Sequence, residues 1–220
     1  MEKIKVKVCC ISSIEEAQMA QEIGAYALGL VGPMPSGPGI ISNEKIAKIV
    51  QSVGHSIETF LLTSETSVSK IYAHYNQVKT STIQLVDEIE IGGHAELKKL
   101  LPHVKIIQVI HVLGEDSIKE AIKISKNVDA LLLDSGNPNL KVKELGGTGK
   151  THDWKISKKI VDAVKIPVWL AGGLNAENIQ QAIKHVQPFG VDLCSSLRTK
   201  GNLDKEKLDS FFKNISALSN

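Results

Sequence analysis

Apolar residues in this 220-residue chain gather in short, nearly unbroken runs, and longer amphipathic stretches lie between them. The runs are IKVKVCCI (4–11), YALGLVG (26–32), SIETFLLT (56–63), STIQLV (81–86), VKIIQVIHV (104–112), DALLLDS (129–135), PVWLAGG (167–173) and GVDLCSS (190–196). Most are continuous in Val, Ile and Leu, which suits parallel strands covered on both faces better than half-exposed antiparallel ones. The intervening segments 14–23, 43–53, 67–78, 94–101, 115–126, 154–164, 176–185 and 204–217 read as helices. In the first of them Ile14, Ala17, Ala20 and Ile23 share one stripe, with Glu and Gln on the opposite face. Ser13 and Glu16 have the spacing of a capping box and set the helix start just after the strand ends. Pro167 opens its strand, where a missing N–H is tolerated.

Eight strands alternating with eight helices in 220 residues predict a (β/α)8 TIM barrel formed by a single domain over 1–220. A doubly wound open sheet would leave units over, and no linker or low-complexity segment divides the chain. A hydrophobic content of 42% is enough to build such a core. The net charge of +2, with lysines spread along the helices, argues against a nucleic-acid footprint. Cys9, Cys10 and Cys194 form neither a disulfide framework nor a metal-ligand spacing. The N-terminus lacks the apolar run of a signal peptide, and no stretch is long enough to span a membrane. These features predict a cytoplasmic protein with no membrane association.

Barrel chemistry sits at the carboxyl ends of the strands and in the loops that follow. Cys9 closes the first strand, with Lys7 on the same face if the strand stays regular and Cys10 turned outward into the helix layer. Asp134 closes the sixth, where burial would raise its pKa and suit it to proton donation; the plainer role is to cap the turn through Ser135 and Gly136. His111, also at a strand end, reads as a polar plug. Gly172 and Gly173 after strand seven, and Ser195 and Ser196 after strand eight, offer backbone approach and hydroxyl donors to a phosphate. The stretch ELGGTGKTHDW (144–154) resembles a nucleotide loop at first sight, but Glu144 stands where the leading Gly of that motif belongs, so an NTPase reading fails.

The order of motifs resembles the phosphoribosylanthranilate isomerase family over nearly the whole chain. Lys7 to Ser12 match its K-I-C-G-I-T, and Leu132-Leu133-Asp134 its L-L-D. Gly146 to Trp154 match G-G-T-G-K-T-F-D-W, with His152 for Phe; Ala171 to Asn178 match A-G-G-L-N-P-E-N; Gly190 to Ser196 match G-V-D-V-S-S-G. The resemblance implies an Amadori rearrangement of a phosphoribosylamine in tryptophan biosynthesis, with Asp134 as acid and Cys9, as thiolate, as base. It also implies phosphate binding by Gly172, Gly173, Ser195 and Ser196, and a substrate-covering loop at Gly146, Gly147, Thr148, Gly149 and Lys150. No metal or organic cofactor is implied, the partner is a small phosphorylated substrate, and the assembly is a monomer or homodimer.

The match departs at several positions. Gly39 stands where the family's second loop has the Arg that grips the anthranilate carboxylate. Val86 replaces His in Q-L-H-G, Ser196 a Gly, Arg198 a Glu, and Cys10 the Gly after the catalytic position. Two enzymatic readings follow: the family reaction with the carboxylate held from elsewhere, for which Arg198, the single arginine of the chain, is the candidate; or isomerisation of a different phosphorylated aminoaldose. A catalytically silent paralogue that binds a phosphorylated metabolite is the third. A basic side chain opposite Gly39 would keep an aromatic acid in play, and an apolar or acidic wall there would exclude it.

Overall fold

The structure, a computed structural model, describes residues 3–137, 139, 140, 143, 149 and 151–217. Eight parallel strands close into a barrel in the order β1 to β8, each paired with its sequence neighbours and β1 with β8. They are β1 (Lys5–Val8), β2 (Ala27–Val31), β3 (Glu58–Thr63), β4 (Thr82–Leu85), β5 (Lys105–His111), β6 (Ala130–Asp134), β7 (Val168–Leu170) and β8 (Gly190–Leu193). The helices are α1 (Ile14–Glu22), α2 (Asn43–Val53), α3 (Val68–Val78), α4 (Gly93–Leu100), α5 (Asp116–Ile124), α6 (Trp154–Ala163), α7 (Ile179–Val186) and α8 (Lys205–Ser216). The expected barrel is therefore present, with strands shorter than the apolar runs because several runs continue into rim loops.

Strand alternation sorts side chains into two cores. Val8, Leu28, Leu61, Ile83, Leu131 and Leu193 face outward and pack beneath the helices. Phe60, Ile107, Val109, Leu132 and Trp169 fill the barrel interior, where Trp169 meets Phe60 and Phe189 edge to face at centroid distances of 5.8 and 5.4 Å. This apolar layer fills the barrel interior beneath the carboxyl-terminal rim.

The first helix keeps half of its expected capping box. The Ser13 hydroxyl accepts from the Glu16 N–H at 3.2 Å, but the Glu16 carboxylate reaches past Ser13 to accept from the Ser12 N–H at 2.8 Å. Its other oxygen accepts from the Leu203 N–H at 2.8 Å, so this side chain staples α1 to the short hairpin formed by β9 (Arg198–Thr199) and β10 (Asn202–Leu203).

Candidate active site

Cys9 and Asp134, from opposite sides of the barrel, line one cavity at the carboxyl-terminal rim. Gln84 and Asp192 come up from the interior, and Gly172, Gly173 and Ser195 close the side formed by the loops after β7 and β8. Gly149 also reaches this cavity; a side chain placed on it would come to 4.0 Å from Ser195 Oγ. Gly146, Gly147, Thr148 and Lys150 lie outside the described residues. A second, larger recess opens at the opposite end, among Lys3, Lys5, Tyr26, Glu58 and Ser81. It is lined by neither Cys9 nor Asp134.

A buried ion pair separates the two chemical groups. Lys7, fully buried, lies 2.9 Å from the carboxylate of Asp192 and faces the barrel interior on the same side as Cys9. Gly29 of β2 makes this possible, since a Cβ there would come to 2.6 Å from Cys9 Sγ and 3.0 Å from Lys7 Nζ. Burial alone would push the Lys7 ammonium toward neutrality, but the charge and hydrogen bond of Asp192, with the neighbouring Cys9 and Cys10, together outweigh it and hold Lys7 above its usual range. The strand alternation that put Lys7 and Cys9 on one face is therefore regular. Asp192, which the sequence reading did not single out, is their neighbour on β8.

Asp134 is buried, and desolvation raises its pKa above that of an ordinary carboxylate. A hydrogen bond donated by the Ser135 N–H at 2.7 Å and the nearby Lys7 charge oppose this without cancelling it. The side chain thus serves the turn and also faces the cavity, with a proton retained into a higher pH range. His111, beside it in register on β5, donates from Nε2 to the Val86 carbonyl at 3.1 Å; because a carbonyl only accepts, the ring carries its proton on Nε2. It does not line the cavity, in keeping with a plug.

Cys10 departs from expectation. β1 ends at Val8, so strand alternation no longer governs its direction. Its φ of 62° is the left-handed conformation that glycine adopts most easily, and it turns the thiol into the cavity rather than out to the helices. There Cys10 packs against Gly39, and its Sγ donates to the Pro38 carbonyl at 3.6 Å. The same cavity is walled by Val31, Met34, Leu62 and Val86. Among its described lining residues none is Lys or Arg. The space opposite Gly39 is thus thiol and apolar surface.

Arg198 is not brought to the cavity. Its guanidinium pairs with both Glu16 oxygens at 3.0 and 3.2 Å and donates to the carbonyls of Cys9, Cys10 and Gly201. With these partners it supports the backbone at Cys9 and Cys10 from behind, and a carboxylate on a ligand would have to displace Glu16. Ser195 reaches the cavity, but Ser196 is absent from its lining; its hydroxyl is buried with no hydrogen-bond partner among the described residues. The paired glycines adopt φ of 82° and 62°, and Asn178 Nδ2 clamps the Gly173 carbonyl at 2.9 Å. Asn178 and Asn175 also tie each other's backbone N–H groups, so the expected start of α7 at 176 becomes a rigid turn and the helix begins at Ile179.

The fold and rim define the class: a (β/α)8 barrel with an interior acid–thiol pair flanked by glycine and serine loops. A family model described as N-(5'phosphoribosyl)anthranilate (PRA) isomerase matches residues 6–214. A Methanosarcina mazei protein named N-(5'-phosphoribosyl)anthranilate isomerase 2 is 36% identical, over 94% of this chain and 92% of its own length. The solved phosphoribosyl anthranilate isomerase from Thermotoga maritima superposes with a TM-score of 0.83 at 28% identity, covering 97% of this chain and 99% of that one. A phosphoribosyl anthranilate isomerase solved in complex with reduced 1-(o-carboxyphenylamino)-1-deoxyribulose 5-phosphate superposes with a TM-score of 0.80 at 25% identity, covering 97% and 99%. The chain belongs to the phosphoribosylanthranilate isomerase family.

Proposed function

We propose that the chain catalyses the Amadori rearrangement of N-(5'-phosphoribosyl)anthranilate to the 1-deoxyribulose 5-phosphate product in tryptophan biosynthesis. The observation that carries this reading is the convergence of Cys9 and Asp134 on one rim cavity in a chain of this family. In the proposed step the Asp134 carboxyl protonates the ring oxygen while the C1′–O bond breaks and the nitrogen lone pair closes to an iminium. Cys9 then takes the C2′ proton; the C–H electrons form C1′=C2′ and the C=N pair returns to nitrogen. The enol relaxes to the ketone. A carboxyl kept protonated by burial suits the first transfer.

In this reading the substrate phosphate is held by Gly172, Gly173, Ser195 and Ser196, and Gly146 to Lys150 cover the bound sugar. The orphaned Ser196 hydroxyl and the Asn178 clamp support a phosphate on that side. No cofactor enters the chemistry, and a cytoplasmic monomer or homodimer is the setting.

One observation favours a second reading: the thiol and apolar wall beside Gly39 gives an aglycone carboxylate no cation among the described residues. On that reading the acid, base and phosphate site serve an uncharged aglycone. Measuring kcat/KM on N-(5'-phosphoribosyl)anthranilate and on the aniline analogue that lacks the carboxylate separates the two. A preference for the anthranilate substrate supports the family reaction, and a preference of tenfold or more for the aniline analogue supports the second reading.

A further inference from the structure

Cys194 lies far in sequence from the adjacent Cys9 and Cys10, yet all three line the same cavity. The barrel closure brings them together. β1 and β8 pair in parallel with Val8 opposite Leu193, and the ladder continues one step further as the Cys9 N–H donates to the Leu193 carbonyl at 2.7 Å. Chains so paired run about 4.8 Å apart, so this step sets Cys194 beside Cys9, the residue before Cys10. The left-handed turn at Cys10 directs its thiol into the same cavity, where Cys9 and Cys194 are its titratable neighbours. Arg198 holds the Cys9 and Cys10 carbonyls from behind, so this placement is braced rather than incidental.

We propose that Cys194 and Cys10 form a peroxide-sensitive thiol pair whose disulfide ties the loop after β1 to the loop after β8 and shuts the active site. Cys194 is the entry point, because it alone of the three is not fully buried. Its thiol is held below its usual range by its contact with Cys10 and by the positive charge of Arg198, whereas contact with Cys194 and Cys9, together with burial, holds Cys10 above it. The Cys194 sulfur attacks one oxygen of a peroxide: an S–O bond forms, the O–O bond breaks, and water leaves. The Cys10 sulfur then attacks the resulting sulfenic acid; the S–S bond forms, the S–O bond breaks, and hydroxide leaves as a second water with the Cys10 proton. Two thiols supply the two electrons that reduce one peroxide, and a dithiol reductant reverses the change.

The consequence follows from the neighbours. Ser195 adjoins Cys194 and Cys9 adjoins Cys10, so the crosslink draws a phosphate-loop residue and the catalytic thiol out of position together. It also withdraws the Cys10 thiol from the Pro38 carbonyl, releasing the loop after β2.

The test titrates the purified full-length protein with hydrogen peroxide, counts free thiols, and maps crosslinked peptides without reduction. The expected result is loss of two thiols with a Cys10–Cys194 crosslink while Cys9 remains free to alkylation. Isomerase turnover then falls at least tenfold and recovers on addition of dithiothreitol. Cys194→Ser and Cys194→Ala each abolish the crosslink. A Cys9–Cys10 crosslink, oxidation confined to Cys9, or three thiols intact after excess peroxide overturns the proposal. So does a Cys10–Cys194 crosslink that leaves turnover unchanged. Peptide mapping needs no substrate, so a crosslink in a protein that turns over no phosphoribosylamine would count against the proposed reaction and not against the thiol pair.

Discussion

Gly39 lies so close to Cys10 that a Cβ on it would stand 2.5 Å from Cys10 Cβ and 3.0 Å from Cys10 Cα. The two positions therefore form one steric unit: a side chain at either excludes a side chain at the other. A bare Gly39→Arg change should give no gain in substrate binding and should lower the melting temperature, since it also forces an L-residue into a φ of 75°. Cys10→Gly combined with Gly39→Arg should lower KM for the carboxylate-bearing substrate by about tenfold, as a new charge-assisted pair is worth roughly 1.5–3 kcal/mol. A double-mutant cycle on KM and on stability checks this, and additive effects would mean the two residues are independent.

Asp134 carries a second prediction. A carboxyl with a raised folded pKa costs stability once it ionises, and that cost grows as pH rises through the folded value. Asp134→Asn should therefore denature at a higher temperature than the wild type at neutral pH. Wild-type kcat should fall on the alkaline side as the proton is lost. Calorimetry and a pH–rate profile read both effects, and a variant less stable than wild type at neutral pH would contradict the desolvation argument.

Much of this site was legible from strand ends. Cys9 and Asp134 each stand at a strand end, and the rule that barrel chemistry sits at carboxyl ends put them on one rim; the family resemblance, not that rule, paired them as base and acid. The direction of Cys10 was not legible, because alternation holds only while the strand lasts and β1 stops two residues earlier. Arg198 was misassigned for another reason. Its partner Glu16 looked locally occupied by a capping box, and nothing in a sequence announces an ion pair across 182 positions. Asp192 sat within a quoted motif, and its alternation with Val191 and Leu193 could have marked it as an inward carboxylate facing Lys7.

The Glu16–Arg198 pair gives the third prediction. Both side chains are about nine-tenths buried and hydrogen-bonded, so removing one strands the other. Arg198→Met should cost about 3 kcal/mol of stability, measured by urea denaturation. A change below about 0.5 kcal/mol would show that the guanidinium is free, as a substrate-binding role would require.

His152 supplies a pH test outside the chemistry. Burial lowers its pKa to about 4, and its Nε2 lies 2.7 Å from the Ser157 hydroxyl. Between the unfolded value of 6.5 and about 4 the unfolded chain binds a proton that the native state refuses. Stability should therefore decline as pH falls through that window, by up to about 3 kcal/mol. His152→Phe should remove this component of acid sensitivity, and equal pH slopes for the two proteins between 6.5 and 4 would refute it.

The central claim is that one thiol and one buried carboxyl move the two protons of the rearrangement. The most direct measurement is single-turnover conversion of N-(5'-phosphoribosyl)anthranilate by wild type, Cys9→Ser and Asp134→Asn, with folding verified for each. The account predicts conversion by wild type and a loss of about 10²–10⁴-fold in each variant. Turnover within a few fold of wild type in either folded variant would contradict it.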